Sequence, residues 1–211
     1  MDLLCEQSSL KGEVLIPGSK SHTIRAVAIS ALASGTSRIG KPLDSDDARS
    51  AVAAYRALGA EIEQQTDVWI VHGTGGELQV PDNVIDVGNS GTTLRLAMGS
   101  CALLRDGGAV LTGDDQIRRR PGSPLARALT DLGASVSSTR NNGCAPFVVQ
   151  GRLCGGKSSI EAVTSQYLSS LLLNTPLADG DTEINVPLLN EQPYVEMTLD
   201  WLQRQGVHIE R

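Results

Sequence analysis

Aromatic residues are scarce in this chain of 211: one Phe, two Trp and three Tyr make up 3%. Stacking of bases or sugars on aromatic platforms is therefore a poor candidate for its mode of recognition. Positive charge is also in deficit. Against 24 Asp and Glu stand 18 Lys and Arg, a formal charge of -6, which speaks against general nucleic-acid binding because backbone recognition shows as a basic excess. The three histidines, His22, His72 and His208, have neither HxH nor HExxH spacing and suggest no metal site. The four cysteines, Cys5, Cys101, Cys144 and Cys154, form no CxxC pair and follow no secretory pattern, so they read as reduced thiols of a cytoplasmic protein. No apolar run approaches the roughly 20 residues needed to span a bilayer, and no charged-then-apolar leader opens the sequence. A GxSxG elbow and a P-loop are both missing.

What is present is ordinary in amount and specific in arrangement. With 40% hydrophobic and 20% charged residues the chain has the makings of a globular protein with a real core, as one large domain or two small ones. The stretch Pro17-Gly-Ser-Lys-Ser-His-Thr-Ile-Arg25 reads as a tight turn entering an amphipathic helix, with Ile24, Val27, Ala28, Ala31 and Leu32 inward and a stop at Gly35. Asp44-Ser-Asp-Asp47 starts a second helix capped by Asp44 or Ser45, and first-turn acids there suit the dipole better than they suggest acid-base chemistry. Gly59 ends it, and a hairpin follows through Ala60–Glu63 and Val68–Val71.

The same order then recurs. A helix opens at Asn89-Ser-Gly-Thr-Thr93, a strand covers Ala109–Leu111, Ser123 is expected to cap a helix with Pro124 at its first position, and a hairpin turns at Asn141-Asn-Gly143. A third copy begins at Thr164-Ser-Gln166, runs through Thr182–Val186 and has its second helix from Pro193. The helix-ending glycines, Gly59, Gly133 and Gly206, lie 74 and 73 residues apart. Three helix-strand-helix-hairpin units are expected, at about 17–75, 84–151 and 158–211. The third lacks its second hairpin strand, so either it is an atypical terminal unit or the chain is a fragment of a longer polypeptide. The residues up to Ile16 read as short extended pieces, Leu3-Leu4 and Glu13–Ile16.

Each unit places anion-friendly residues at its first helix. Lys20, Ser21 and Arg25 surround the first start; Gly91, Thr92 and Arg95 the second; Thr164, Ser165 and Gln166 the third. Unpaired backbone N–H groups and the positive end of the helix dipole favour negative charge at such positions, and lysine, arginine and hydroxyls add charge-assisted hydrogen bonds. Taken singly, each start could equally be a polar helix cap; their equivalence by repeat is what argues for a shared site. In Arg118-Arg119-Arg120-Pro121 the first two arginines read as solvated surface, while Pro121 fixes the backbone beside Arg120, which could clamp a carboxylate or phosphate. Gly73-Thr-Gly-Gly76 reads as a hairpin exit.

These stretches, with Gly88–Arg95, Leu111-Thr-Gly-Asp114 and Gln192-Pro-Tyr194, resemble in order the first half of 5-enolpyruvylshikimate-3-phosphate synthases. The resemblance implies a mixed α/β fold, an inside-out barrel domain of three βαβαββ units, with residues 1–16 belonging to a second domain that this chain lacks. It implies transfer of the enolpyruvyl group of phosphoenolpyruvate to the 5-hydroxyl of shikimate 3-phosphate, in the shikimate pathway to aromatic amino acids. No metal or organic cofactor is implied, and neither nucleic acid nor membrane is a partner. A cytoplasmic enzyme, monomeric at full length and of the glyphosate-target family, is the expectation. By matched position Lys20, Ser21, Arg25, Thr164, Ser165, Gln166 and Tyr194 bind shikimate 3-phosphate. Lys20, Asn89, Gly91, Thr92, Arg120 and Gln166 face phosphoenolpyruvate, with Lys20 and Arg120 closest to catalysis and the acid-base aspartate outside this chain. Glu191 stands where many members have a serine that touches the substrate phosphate; that contact is not carried over. Two alternatives stand beside this reading: a binding domain without turnover, and the sister enolpyruvyltransferase acting on UDP-N-acetylglucosamine. The latter carries a reactive cysteine in a loop that here, from Thr112 to Ser123, has none.

Overall fold

The computed structural model describes residues 2–211. Its elements run α1 (Lys20–Leu32), β1 (Thr36–Gly40), α2 (Asp46–Ala57), β2 (Glu61–Gln64) and β3 (Val68–His72). Then follow β4 (Ile85–Asp86), α3 (Gly91–Cys101), β5 (Gly108–Thr112), α4 (Ser123–Asp131), β6 (Ser135–Ser138) and β7 (Phe147–Gln150). The chain closes with β8 (Gly156–Ala162), α5 (Ser165–Asn174), β9 (Thr182–Leu189) and α6 (Gln192–Arg204).

Local chemistry sets most of these boundaries. Side chains of Ser19, Ser45, Ser90 and Thr164 cap α1, α2, α3 and α5 by accepting backbone N–H groups of the first turn. Gly59, Gly133 and Gly206 follow the ends of α2, α4 and α6 with φ of 104°, 110° and 80°, a region that glycine enters without strain. Two sequence-based expectations shift. Helix α1 ends at Leu32 with an extended Ala33, so the left-handed Gly35 (φ 78°) belongs to the turn after the helix. Helix α4 has no side-chain cap: Gly122 precedes it, and Ser123 is already helical. A Cβ on Gly122 would lie 2.7 Å from the Phe147 ring, so only glycine fits there, and Pro124 in the first turn removes one N–H that would otherwise need an acceptor.

Three sheets form among the described residues. The second has the order β4-β5-β7-β6, with β4 parallel to β5 across the α3 crossover and the rest antiparallel. The first, β1-β3-β2, is antiparallel throughout, and the third, β8-β9, is a parallel pair. Residues 2–19 form no strand or helix, and Leu15 is 98% exposed. The extended pieces expected at Leu3-Leu4 and Glu13–Ile16 are thus not strands here, because a strand needs a ladder partner and these have none.

The core lies between the helices. Helices α1, α3 and α5 are buried on nearly every side, so α1 is not amphipathic as expected, while α2, α4 and α6 bury one stripe. The strands alternate buried and exposed residues and present one face to solvent. A polar seam threads the helical core. Ser100 Oγ donates to Asn174 Oδ1 at 2.8 Å and pairs with Tyr55 Oη at 3.0 Å, Asn174 Nδ2 donates to the Ser170 carbonyl at 2.7 Å, and Ser170 Oγ donates to the Arg95 carbonyl at 2.6 Å. Buried polar groups satisfied in this way fix the register of α3 against α5. Burial pushes the Cys101 thiol up to about 12, which leaves it unreactive.

Gly99 is where α3 and α5 come closest, since a Cβ there would lie 2.5 Å from both Asn174 Nδ2 and Ser170 Oγ. Substitution Gly99→Ala should therefore cost about 1–2 kcal/mol by urea unfolding, the overpacking exceeding the ~1 kcal/mol gain in helix propensity.

Candidate anion-binding site

The start of α3 is a rigid platform. Ser90 Oγ donates to Thr93 Oγ1 at 2.7 Å, and Thr93 Oγ1 donates to the Asp47 carbonyl at 3.3 Å, which joins it to the start of α2. Arg95, 5% exposed, donates back to the Gly91 carbonyl and across to the Pro121 carbonyl, both at 3.0 Å. Tyr167 Oη on α5 donates to the same Pro121 carbonyl at 2.7 Å. The backbone beside Arg120 is thereby pinned to two helices. Exposed Arg120 donates to Asn89 Oδ1 at 3.3 Å.

Gly91 marks where the side chains meet. A Cβ there would lie 2.5 Å from Arg95 Nη1, 3.1 Å from Arg120 Nη1 and 3.6 Å from Gln166 Oε1. Beside this meeting point is a cavity of about 270 Å³ lined by Arg95, Arg120, Pro121, Thr164, Gln166 and Tyr167 among others. Burial pulls the Arg95 pKa down and Tyr167 partly offsets it; an arginine so placed still carries its charge, and its Nε–H has no partner among the described residues. Thr92 is half-buried on the first turn of α3.

The start of α1 lies against the loop after β1, since a Cβ on Gly18 would lie 2.8 Å from the Lys41 carbonyl. Lys20 Nζ pairs with Asp47 Oδ2 at 3.5 Å and is half exposed. Arg25 points inward. It is 1% exposed and donates to Thr198 Oγ1 at 2.7 Å, Ser169 Oγ at 3.0 Å and the carbonyl of half-buried Ser21 at 3.3 Å. Its guanidinium carbon is 6.0 Å from the Tyr194 ring. Burial lowers its pKa to about 10, against opposing pulls from Tyr194 and Glu191, so it remains cationic at neutral pH.

At the start of α5 the structure adds a residue that sequence reasoning set aside. Glu191 Oε2 accepts from Ser165 Oγ at 2.8 Å, the Ser165 N–H at 2.9 Å and Thr164 Oγ1 at 3.1 Å. Its backbone is left-handed, with φ 55° and ψ 38°. The Ser165 N–H, then the Ser165 and Thr164 hydroxyls, hold its carboxyl below the usual carboxylate range.

Of the residues singled out in the sequence, Arg120, Thr164 and Gln166 line one cavity, with Gly91 and Asn89 against Arg120. Ser165 is tied to Glu191, Arg25 lies near Tyr194, and Lys20 pairs with Asp47 on α2; none of these lines that cavity. Arg118, expected as solvated surface, is instead half-buried and tied to the Gly113 carbonyl and Asp115. Gly73–Gly76 is a hairpin exit, with Thr74 Oγ1 donating to the Ala31 carbonyl at 3.1 Å. A larger cavity, about 370 Å³, lies on the His22 face of α1 beside β1 and Trp201, and none of these site residues lines it. Sequence reasoning missed Thr198 and Ser169, the anchors of Arg25, which lie 173 and 144 residues away with no local signal.

Fold and site together define a mixed α/β protein that gathers cationic and hydroxyl groups at its helix starts. The family model of EPSP synthase (3-phosphoshikimate 1-carboxyvinyltransferase) matches residues 4–211. A 3-phosphoshikimate 1-carboxyvinyltransferase of Acetivibrio thermocellus is 56% identical over 210 residues, covering 100% of this chain and 49% of the relative. One of Ruminiclostridium cellulolyticum is 50% identical, covering 98% of this chain and 49% of the relative. Among solved structures, EPSP synthase from Acinetobacter baumannii superposes with a TM-score of 0.83 at 28% identity, over 95% of this chain and 45% of that one. This chain belongs to the EPSP synthase family, and it spans about half the length of the curated relatives it matches.

The depressed Glu191 pKa has a sign that can be checked. Its carboxylate contributes stability that is fully present above the unfolded value of 4.5 and is lost as pH falls through the lower folded value. Wild type should melt above Glu191→Gln at pH 7, and the gap in Tm should narrow progressively as the pH is lowered below 4.5; a gap independent of pH would remove charge from the explanation.

Proposed function

We propose that this chain supplies the shikimate-3-phosphate half of a 3-phosphoshikimate 1-carboxyvinyltransferase, which moves the enolpyruvyl group of phosphoenolpyruvate to the 5-hydroxyl of shikimate 3-phosphate and releases phosphate. The observation that carries this is the meeting of Arg120, Gln166 and Gly91 beside a cavity that Thr164 also lines. The names and the identity of the relatives point the same way. The partial strand orders of the first and third sheets are read as three βαβαββ units of an inside-out barrel, with the helices inside and the sheets outside.

In this reading Lys20, Ser21, Arg25, Thr164, Ser165, Gln166 and Tyr194 bind shikimate 3-phosphate. Arg25 acts through fixed charge and through holding α1 to α5 and α6, because it is buried and each of its three nitrogens already donates within the protein. Lys20, Asn89, Gly91, Thr92, Arg120 and Gln166 face phosphoenolpyruvate. Gly91 keeps the floor open, since any side chain there would strike both guanidinium groups. Both substrates are multiply anionic, so bringing them together requires cationic groups fixed before binding, and this is what the Arg95 brace provides. The proton-transfer group and further cations are assigned to polypeptide outside this chain, as is the domain with which residues 2–16 would pair; closure of the two halves would complete the site.

Two measurements test this. Calorimetric titration of the 211-residue chain should show shikimate 3-phosphate binding that Lys20→Ala weakens about 10-fold or more, the scale of a charge-assisted hydrogen bond. A phosphate-release assay on the same chain should show no turnover. Failure to bind shikimate 3-phosphate would defeat the substrate assignment, and turnover would defeat the half-site reading.

A further inference from the structure

We propose that the Glu191 carboxylate is a tethered competitor for the anion-receiving start of α5, so that a phosphoryl group enters there only by displacing it, and that residue 191 sets how tightly the site holds a phosphorylated ligand. Three donors from Thr164 and Ser165 converge on the single atom Oε2, at 2.8 to 3.1 Å. A phosphoryl oxygen asks for the same arrangement. The donors are not isolated from the site described above: Thr164 lines its cavity, and Arg95, which lines it too, has a buried Nε–H without a partner among the described residues. Buried Arg25 adds a fixed positive charge that acts on Glu191.

Glu191 is also placed so that it can leave. The residue is exposed, and its donors sit on α5 whereas its own backbone belongs to the turn before α6. That turn holds a non-glycine residue in the left-handed region, which side-chain-bearing residues enter at a cost. A purely structural cap could be supplied by Thr164 alone, which already accepts the Gln166 N–H at 3.5 Å. What Glu191 contributes beyond that is negative charge where an incoming anion must lie. A tethered group competes at a high effective concentration, and a ligand that binds only the vacant form loses affinity in proportion to the vacant fraction.

The identity of the natural ligand rests on the function proposed above; the competition itself does not. Two variants separate them: Glu191→Gly, which vacates the donors and suits the left-handed backbone, and Glu191→Gln, which keeps the volume without the charge. Inorganic phosphate and shikimate 3-phosphate are each titrated into wild type and both variants by calorimetry, with circular dichroism melts alongside. We expect Glu191→Gly to bind phosphate about 10-fold more tightly than wild type while melting at a lower temperature, with Glu191→Gln intermediate. A residue with only a structural role would lower both. Equal or weaker phosphate binding by a folded Glu191→Gly chain overturns the inference, as does absence of binding in every variant. If phosphate tightens but shikimate 3-phosphate binds nowhere, the competition stands and the substrate assignment falls. If shikimate 3-phosphate binds equally in all three and phosphate does not tighten, the reverse holds.

Discussion

A guanidinium with 1% of its surface exposed, that of Arg25, is the constraint on which the arrangement of the helix starts depends. Removing a cation from water costs several kcal/mol unless its hydrogen bonds are replaced. Here the replacements come from Thr198 on α6, Ser169 on α5 and the Ser21 carbonyl on α1. The Ser169 and Thr198 hydroxyls also pair with each other at 2.9 Å, so the three helices share one network. Shifting any of them along its axis by a turn would leave that charge unpaired, and their first turns are therefore held side by side.

Arg95 repeats the device one helix over. In both helices an arginine on the second turn donates back to the carbonyl four residues earlier, Ser21 in α1 and Gly91 in α3, and its Nη2 donates to a different element. Neither arginine is free to grasp a ligand as a flexible surface side chain would. Each fixes positive potential and backbone geometry, and the more exposed Lys20, Arg120, Thr164 and Gln166 are left to make direct contact in the proposed reading. Such a division suits a site for anions, because prepositioned charge need not reorganise when the ligand arrives.

Most of the element order was legible in the sequence because it is written in short-range chemistry: serine and threonine caps, left-handed glycines after helices, and the Asn141–Gly143 turn with φ of 53° and 71° at its ends. The clustering at helix starts was legible for the same reason. What escaped was long-range. Arg25 was grouped with Lys20 and Ser21 at the helix start since only its i,i+4 relation to Ser21 is visible locally, and the hydroxyls it donates to inside the core are far along the chain. Glu191 was set aside because it stands in place of a serine, although in the structure its carboxylate accepts from Thr164 and twice from Ser165. The opening segment reads as short extended pieces but finds no ladder to join.

The double attachment of the Pro121 carbonyl, to Arg95 from one side and to Tyr167 from the other, has a consequence for how this region can vary. The backbone beside Arg120 is held by α3 and α5 and also by the 3-10 turn just before it, Ile117–Arg119, whose Ile117 carbonyl accepts the Arg120 N–H at 3.1 Å. Loss of either Arg95 or Tyr167 would leave the other holding that carbonyl alone, so the effects of substituting the two should be coupled rather than additive.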